Sequence, residues 1–231
     1  MRGYILGKPG HSMASARILA RTFRSMGHRV WATSNLHKSP VIINWGNSSC
    51  TDNNAINFGI VTDKMEQLVK LKPHIRTLNL LENIPNDFDQ FPVFCRKRYH
   101  QQGNDIVIAM SMDELVACDY YTIFEPFQRE LRIQVFEDQF RGFIKEREEE
   151  DAEYPIKNVD NNYNFRWIGL SQELKDFCVK TLEVLGVKFG CIDIGVLPQK
   201  EYCVIEVNSA PSIINNENTL VWYIERFLGS L

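Results

Sequence analysis

The sequence predicts a mixed α/β (α+β) fold, on three observations. Residues 1–60 interleave short apolar runs with one amphipathic helical pattern. From Phe91 the texture changes to closely spaced strand patterns separated by turn residues. A capped helix and two alternating strands follow between Ser171 and Asn208. The change in texture divides the chain into a small N-terminal α/β unit, residues 1–60, and a larger module, residues 61–231.

Each element has a local reason. Tyr4–Leu6 is a short strand, and the loop Gly7–Ser12 leads into a helix that Ser12 is placed to cap. That helix carries Ile18, Leu19, Phe23 and Met26 on one stripe and stops at Gly27. Val30–Ala32 and Val41–Ile43 are strands, and the Asn- and Ser-rich stretch Asn44–Asn57 is a loop. Residues 62–71 are helical, with Met65, Leu68 and Val69 inward. Pro92–Arg96 and Asp105–Ala109 are strands, and Ser111 to Glu114 form a capping box that opens a short helix. Asp119–Phe127 and Glu130–Phe136 are strands, and Phe140–Arg147 pairs back through the turn at Glu137, Asp138 and Gln139. The acidic run Glu146–Glu153 is a solvated loop. Ser171 caps a helix bearing Leu174, Phe177, Cys178, Leu182 and Leu185, closed by Gly186, and a last helix spans Leu220–Phe227.

The bulk numbers exclude some classes. The chain has 231 residues, 44% hydrophobic and 24% charged, enough for a sizeable core. A net charge of −3 argues against a nucleic-acid coat. The six cysteines form no Cys-x-x-Cys pair, and several fall in apolar patterns, as reduced core thiols do. No apolar run suits a signal peptide or a membrane span, so the expected location is cytoplasmic, without membrane partners.

The densest chemical signal is the stretch Phe189–Ser212. Its first strand alternates Cys191, Asp193 and Gly195 against Ile192, Ile194 and Val196. Its second places Val204, Glu206 and Asn208 on one face and Cys203, Ile205 and Val207 on the other. With the turn centred on Gln199–Lys200, Asp193 lies across from Glu206, their Cβ atoms roughly 5 Å apart. Facing carboxylates repel, and a divalent cation relieves the repulsion, with Asn208 as a third oxygen ligand. That set suits magnesium, and magnesium with few protein ligands points to phosphates.

Two weaker signals accompany it. The strand ending at Arg96 feeds a basic loop with Lys97, Arg98, His100 and Gly103, suited to phosphate oxygens but equally to an exposed turn. Glu130 and Arg132 share a strand face, and Lys145 and Arg147 lie two apart on the paired strand. Taken alone, they are better explained by a cross-strand ion-pair ladder than by a site. The loop Gly7–Ser12 lacks the spacing of a phosphate-binding GxxxxGK[ST] loop, and His11 and Arg17 read as surface residues.

In order along the chain, these segments resemble the ATP-grasp superfamily. The features are Arg96 in a PVFCR strand, a loop with Gly103, the segment Tyr121–Phe136, LGVKFGCIDIGV, and Glu206-x-Asn208. The match is nearest to small, often phage-encoded ATP-grasp proteins and covers about residues 40–215. The resemblance implies an ATP-grasp fold with a reduced N-terminal domain, binding ATP and Mg2+. It implies a carboxylate–amine ligase that activates an acid as an acyl phosphate, with small-molecule or peptide acids and amines as substrates. By position, Arg96 matches the residue on the α- and β-phosphates, and Tyr99–Asp105, with Gly103, the cover over them. Phe124, Glu125, Pro126 and Phe127 match the adenine-holding hinge. Arg132 matches the arginine near the γ-phosphate, and Lys145 a basic residue on the next strand. Asp193, Glu206 and Asn208 match the magnesium ligands. The chain departs from the pattern in a single cover glycine and in Ala210-Pro211-Ser212, where Pro-Gly is common. Two alternatives stand beside the ligase: an ATP-binding protein without turnover, and a nucleic-acid-binding module using Arg96–His100, which the acidic net charge disfavours.

Overall fold

A computed structural model describes residues 1–37, 39–99, 106–147, 163–211, 213 and 217–230. Three sheets organise it. The N-terminal sheet is parallel, with β1 (Arg2–Gly7) between β2 (Arg29–Thr33) and β3 (Ile42–Trp45). Helix α1 (Met13–Ser25) crosses from β1 to β2 and buries Ala16, Leu19, Ala20 and Phe23 against Ile5, Val30 and Ile43. Helix α2 (Lys64–Leu71) and the two-residue strand β4 (Leu80–Leu81) follow. Strands β5 (Val93–Arg96), β6 (Val107–Ala109) and β7 (Tyr120–Ile123) join β4 in a four-stranded antiparallel sheet, order β4-β7-β5-β6.

The third sheet holds β8 (Arg129–Phe136), β9 (Gln139–Arg147), β10 (Tyr163–Ile168), β11 (Phe189–Val196) and β12 (Tyr202–Asn208), antiparallel in the order β10-β9-β8-β11-β12. One face is apolar: Leu131, Ile133, Val135, Ile192, Ile194 and Val204 pack on Leu174, Cys178, Leu182 and Leu185 of α3 (Gln172–Leu185). Alternation therefore sends Glu130, Arg132 and Asp193 to the opposite face. The final helix, α4 (Glu217–Gly229), returns to the N-terminal unit. Its Tyr223 and Phe227 join Phe23, Trp45, Phe136 and Phe189 in one aromatic cluster, so the N-terminal sheet and the five-stranded sheet share a core. The segment Phe124–Gln128 carries the chain from the four-stranded to the five-stranded sheet.

The hairpin differs from its sequence reading in one instructive way. Near the turn the register is Val196↔Tyr202, Gly195↔Cys203 and Ile194↔Val204, which centres the turn on Gln199 alone. Continued unbroken, that register would set Asp193 against Ile205. A bulge between Asp193 and Ile194 leaves Ile205 unmatched and brings Asp193 opposite Glu206. The bulge also moves Val204 off the face of Glu206 and into the core with Ile192 and Ile194. The chain just before β4 lies along this irregular edge: Val204 N–H donates to Arg76 O at 2.9 Å and Leu78 N–H to Val204 O at 3.3 Å.

Other local expectations are corrected by packing. Ser12 makes no side-chain cap; its Oγ accepts from Lys8 N–H at 2.9 Å and so fixes the preceding loop. Met26 and Val69 are 51% and 50% exposed, because the inward stripes close on Phe23 and on Leu68 and Leu71 instead. The Ser111 box opens only a 3-10 turn, Met112–Glu114, without a Ser111 cap. The strand expected over Asp119–Phe127 ends at Ile123. Glu146 and Arg147 belong to β9, while the rest of the acidic run lies outside the described residues. Ser171 and Gly186 do cap α3: Ser171 Oγ accepts from Leu174 N–H at 3.2 Å, and Gly186 takes φ 70°, a left-handed conformation that glycine adopts without strain.

Candidate functional site

The charged face of the five-stranded sheet is built from four adjacent strands. Asp193 on β11 is the centre, paired in register with Arg132 on β8 and Glu206 on β12. Asp193 is only 3% exposed, so its carboxylate needs full compensation. Arg132 supplies most of it as a fork: Nε and Nη2 donate to Oδ1 and Oδ2 at 2.8 and 2.7 Å. Lys145 Nζ on β9 lies 3.2 Å from Glu130 Oε2 and 3.7 Å from Asp193 Oδ1. On the other flank, Asn208 Nδ2 donates to Glu206 Oε1 at 2.7 Å. Lys64 Nζ donates to Asn208 Oδ1 and Val207 O, both at 2.9 Å, and sits 3.8 Å from Glu206 Oε2.

Sequence reasoning missed Lys64. It is the first residue of α2, and it shares the spacing 64, 67, 68, 71 with Gln67, Leu68 and Leu71, all buried. That is the inward stripe of a helix, with two polar residues in it. Gln67 brackets β12 through its amide, donating to Val207 O at 2.9 Å and accepting from Val207 N–H at 3.2 Å. Asp63 caps the helix, accepting from Glu66 N–H at 3.1 Å, while its other oxygen pairs with Arg98 Nη1 at 3.2 Å. The signal was present in the sequence: an Asp-Lys pair at a helix start, with the lysine in phase with apolar positions.

Across from this face, the four-stranded sheet contributes Arg96, buried at the end of β5. Its Nε donates to Thr122 Oγ1 at 2.8 Å and its guanidinium lies 5.3 Å over the Phe94 ring. Burial lowers the Arg96 pKa, partly offset by Tyr120, Glu206 and Glu130, which places it within the field of the same cluster. Burial pushes the Tyr120 hydroxyl up to about 12. Burial also works against the charges of Arg132 and Lys145, but Asp193 outweighs it. The Arg132 pKa is held well above its ordinary value, and that of Lys145 above its own, with Glu130 adding to the second. Lys64, Arg96, Arg132 and Lys145 therefore face Glu130, Asp193 and Glu206: four cations against three carboxylates.

The expected hinge sits between the sheets. Phe124 N–H donates to Pro92 O at 3.0 Å, Glu125 lies 3.7 Å from Arg76, and the Phe127 ring covers Gly195, leaving no space there for a Cβ. Gly103 and the stretch 100–105 lie outside the described residues. Trp45 and Asn47 are buried, with Trp45 Nε1 donating to Ser15 Oγ at 3.0 Å. The structure thus gathers Arg132, Lys145, Asp193, Glu206 and Asn208 on one face, with Arg96 in their field.

The profile of the RimK-like ATP-grasp domain matches residues 64–226, well over half the chain. The chain belongs to the RimK-like ATP-grasp family. No curated protein matches it by sequence. Among solved structures, this ATP-grasp chain is similar to the ligase PsnB complexed with a minimal precursor, at 14% identity and TM-score 0.64, covering 94% of this chain and 93% of that one. It is similar to macrocyclase MdnC bound with precursor peptide MdnA from Microcystis aeruginosa MRC, at 11% identity and TM-score 0.60, covering 94% of each. It is similar to D-alanine–D-alanine ligase from Bacillus anthracis, at 15% identity and TM-score 0.63, covering 91% and 87%. At these identities the likeness establishes a shared ATP-grasp fold. No helix among the described residues is long and apolar enough to cross a membrane.

Proposed function

We propose that this chain is an ATP- and Mg2+-dependent ligase that joins a carboxylate to an amine through an acyl phosphate. The observation that carries the reading is the cluster of four cations and three carboxylates gathered from the two sheets and the start of α2. Phosphoryl transfer requires positioned charge more than covalent help, and preorganised cations in a water-poor site supply it.

The donor chemistry fits magnesium. Asp193, Glu206 and the Asn208 amide present hard oxygen donors from one strand pair. Such a set leaves coordination positions for phosphate oxygens and water. When bound, the ion would be held by Asp193, Glu206 and Asn208 and would neutralise part of the phosphate charge. Without it, Arg132, Lys145 and Lys64 hold the carboxylates. Arg96 anchors the inner phosphates, rigid because Thr122 and Phe94 fix its guanidinium. Arg132 and Lys145 stabilise charge at the transferred phosphoryl group. Phe124, Glu125, Pro126 and Phe127 hold the adenine between the sheets. The carboxylate substrate attacks the terminal phosphorus and ADP leaves; the amine then attacks the acyl carbon, and phosphate leaves.

A peptide substrate is the favoured class. The similar macrocyclase MdnC is bound with a precursor peptide, and the similar ligase PsnB is complexed with a minimal precursor, Mg and ADP. Residues 1–60 are assigned as a reduced substrate-side domain, docked through the shared aromatic cluster. The free thiols suit a cytoplasmic enzyme.

An ADP-release screen against pooled acids, amines and short peptides tests the proposal, with mass detection of products. Amide formation should transfer one 18O atom from a labelled acid into the released phosphate. ATP binding with no ADP release under any pool identifies a nucleotide-binding protein without turnover instead.

A further inference from the structure

The N-terminal unit carries a charge anomaly. Residues 1–51 contain seven Lys and Arg and no Asp or Glu. The chain's net −3 therefore leaves −10 on residues 52–231. Three of these arginines, Arg17, Arg21 and Arg24, line one side of a cavity of about 300 Å3 between α1 and β2, with Ala20, Trp31 and Ala32 completing it. All three are exposed, and no ion pair with a described residue neutralises them.

The cavity runs beside an open strand edge. β2 is the outer strand of its sheet, hydrogen-bonded on one side to β1. Arg24 Nη1 donates to Val30 O at 2.8 Å, so that carbonyl points away from β1 and toward α1's arginines. Backbone groups two residues apart on a strand face the same side, so the N–H and C=O of Ala32 face the same opening.

We propose that this groove binds an acidic peptide segment in extended form, paired to the edge of β2 with its carboxylates on Arg17 and Arg21. Strand addition supplies backbone hydrogen bonds, and the arginines select side chains. The spacing agrees: Arg17 and Arg21 are separated by a rise of about 6 Å along the helix, and alternate side chains on a strand lie about 6.7 Å apart. A nucleic acid has no amide backbone to pair with the edge, and the −10 on the remainder of the chain repels a long polyanion, whereas a short acidic peptide stays within the basic patch. The surface uses none of the residues assigned to ATP or magnesium, so it stands or falls separately from the ligase reading.

The test uses the full chain and a fluorescein-labelled decapeptide of alternating Glu and Thr, read by fluorescence polarisation. Saturable binding is expected, weakened roughly five- to ten-fold or more by Arg17→Gln with Arg21→Gln. Replacing every Glu of the peptide by Gln should weaken it similarly. Ala32→Pro, which removes the edge N–H, should weaken binding with the arginines intact. The arginine variant changes only exposed side chains, and an unchanged melting temperature confirms its fold. Equal binding by wild type and the arginine variant, indifference to Glu→Gln, absence of binding, or displacement of the peptide by an equimolar thymidine decanucleotide would overturn the proposal.

Discussion

Replacing Asp193 by Asn removes one charge at the centre of the cluster and changes almost no volume. In the unliganded protein the substitution leaves the Arg132 fork, at 2.8 and 2.7 Å, facing a neutral amide that can accept but one of its two N–H bonds well. Breaking a fully buried ion pair costs about 3–5 kcal/mol, whereas an exposed pair is worth about 0–1 kcal/mol. The Asp193 side chain is 4% exposed and that of Arg132 28%, which sets the pair nearer the buried limit. Arg132 keeps partial access to water, and Lys145 keeps Glu130 at 3.2 Å, so the expected loss is about 2–3 kcal/mol. At about 2–4 °C per kcal/mol for a chain of this size, the melting temperature should fall by about 4–12 °C. Differential scanning calorimetry in buffer measures that fall. Repeating the scan with MgATP adds the second arm: wild type should rise by mass action while the variant does not. A variant that melts with wild type and gains the same MgATP shift would refute the reasoning, because Asp193 would then neither balance Arg132 nor hold the ion.

Three further outcomes follow from the geometry. Lys64→Met removes the cation between Asn208 and Glu206 and should lower ATP turnover by about a hundred-fold with the fold retained, measured as initial rates of ADP release. Gly195→Ala places a methyl group against the Phe127 ring and should displace the hinge, seen as weaker binding of a fluorescent ATP analogue while catalysis at saturating ATP falls less. The Lys145 pKa is raised by Asp193 and Glu130 against the burial penalty, so its charge contributes stability fully below the ordinary lysine value and loses it only as pH rises through the raised one. The stability difference between wild type and Lys145→Met should therefore stay level from pH 6 to about 10 and shrink above that, followed by denaturant titration. A difference that shrinks already below pH 9 would mean that Lys145 is not held charged.

What the sequence revealed and what it hid follow from how far each signal reaches. The period of two in Phe189–Val196 and Tyr202–Asn208 is local, so the hairpin and its acids were legible, as was the Ser171–Gly186 frame of α3. The bulge was not. Two registers of the same residues differ by a single position, and only the packing of Val204 with Ile192 and Ile194 selects one. Facing acids suggested a missing cation, yet the partners come from three other elements: Arg132, Lys145 and Lys64. Reading polar residues as outward concealed Lys64 and Gln67 within an apolar stripe. β10 was legible in the alternation of Tyr163, Phe165 and Trp167 with Asn164 and Arg166 and was overlooked beside the polar stretch that precedes it. The order of motifs located the fold; tertiary packing set the charges.

The account rests on nucleotide held by metal between Asp193 and Glu206, and titration calorimetry of ATP into wild type and Glu206→Ala, each with and without Mg2+, tests it most directly. Wild type should bind ATP tightly only with Mg2+, and the variant should lose that magnesium dependence while keeping its fold. Equal, magnesium-dependent affinity in both proteins would contradict the account.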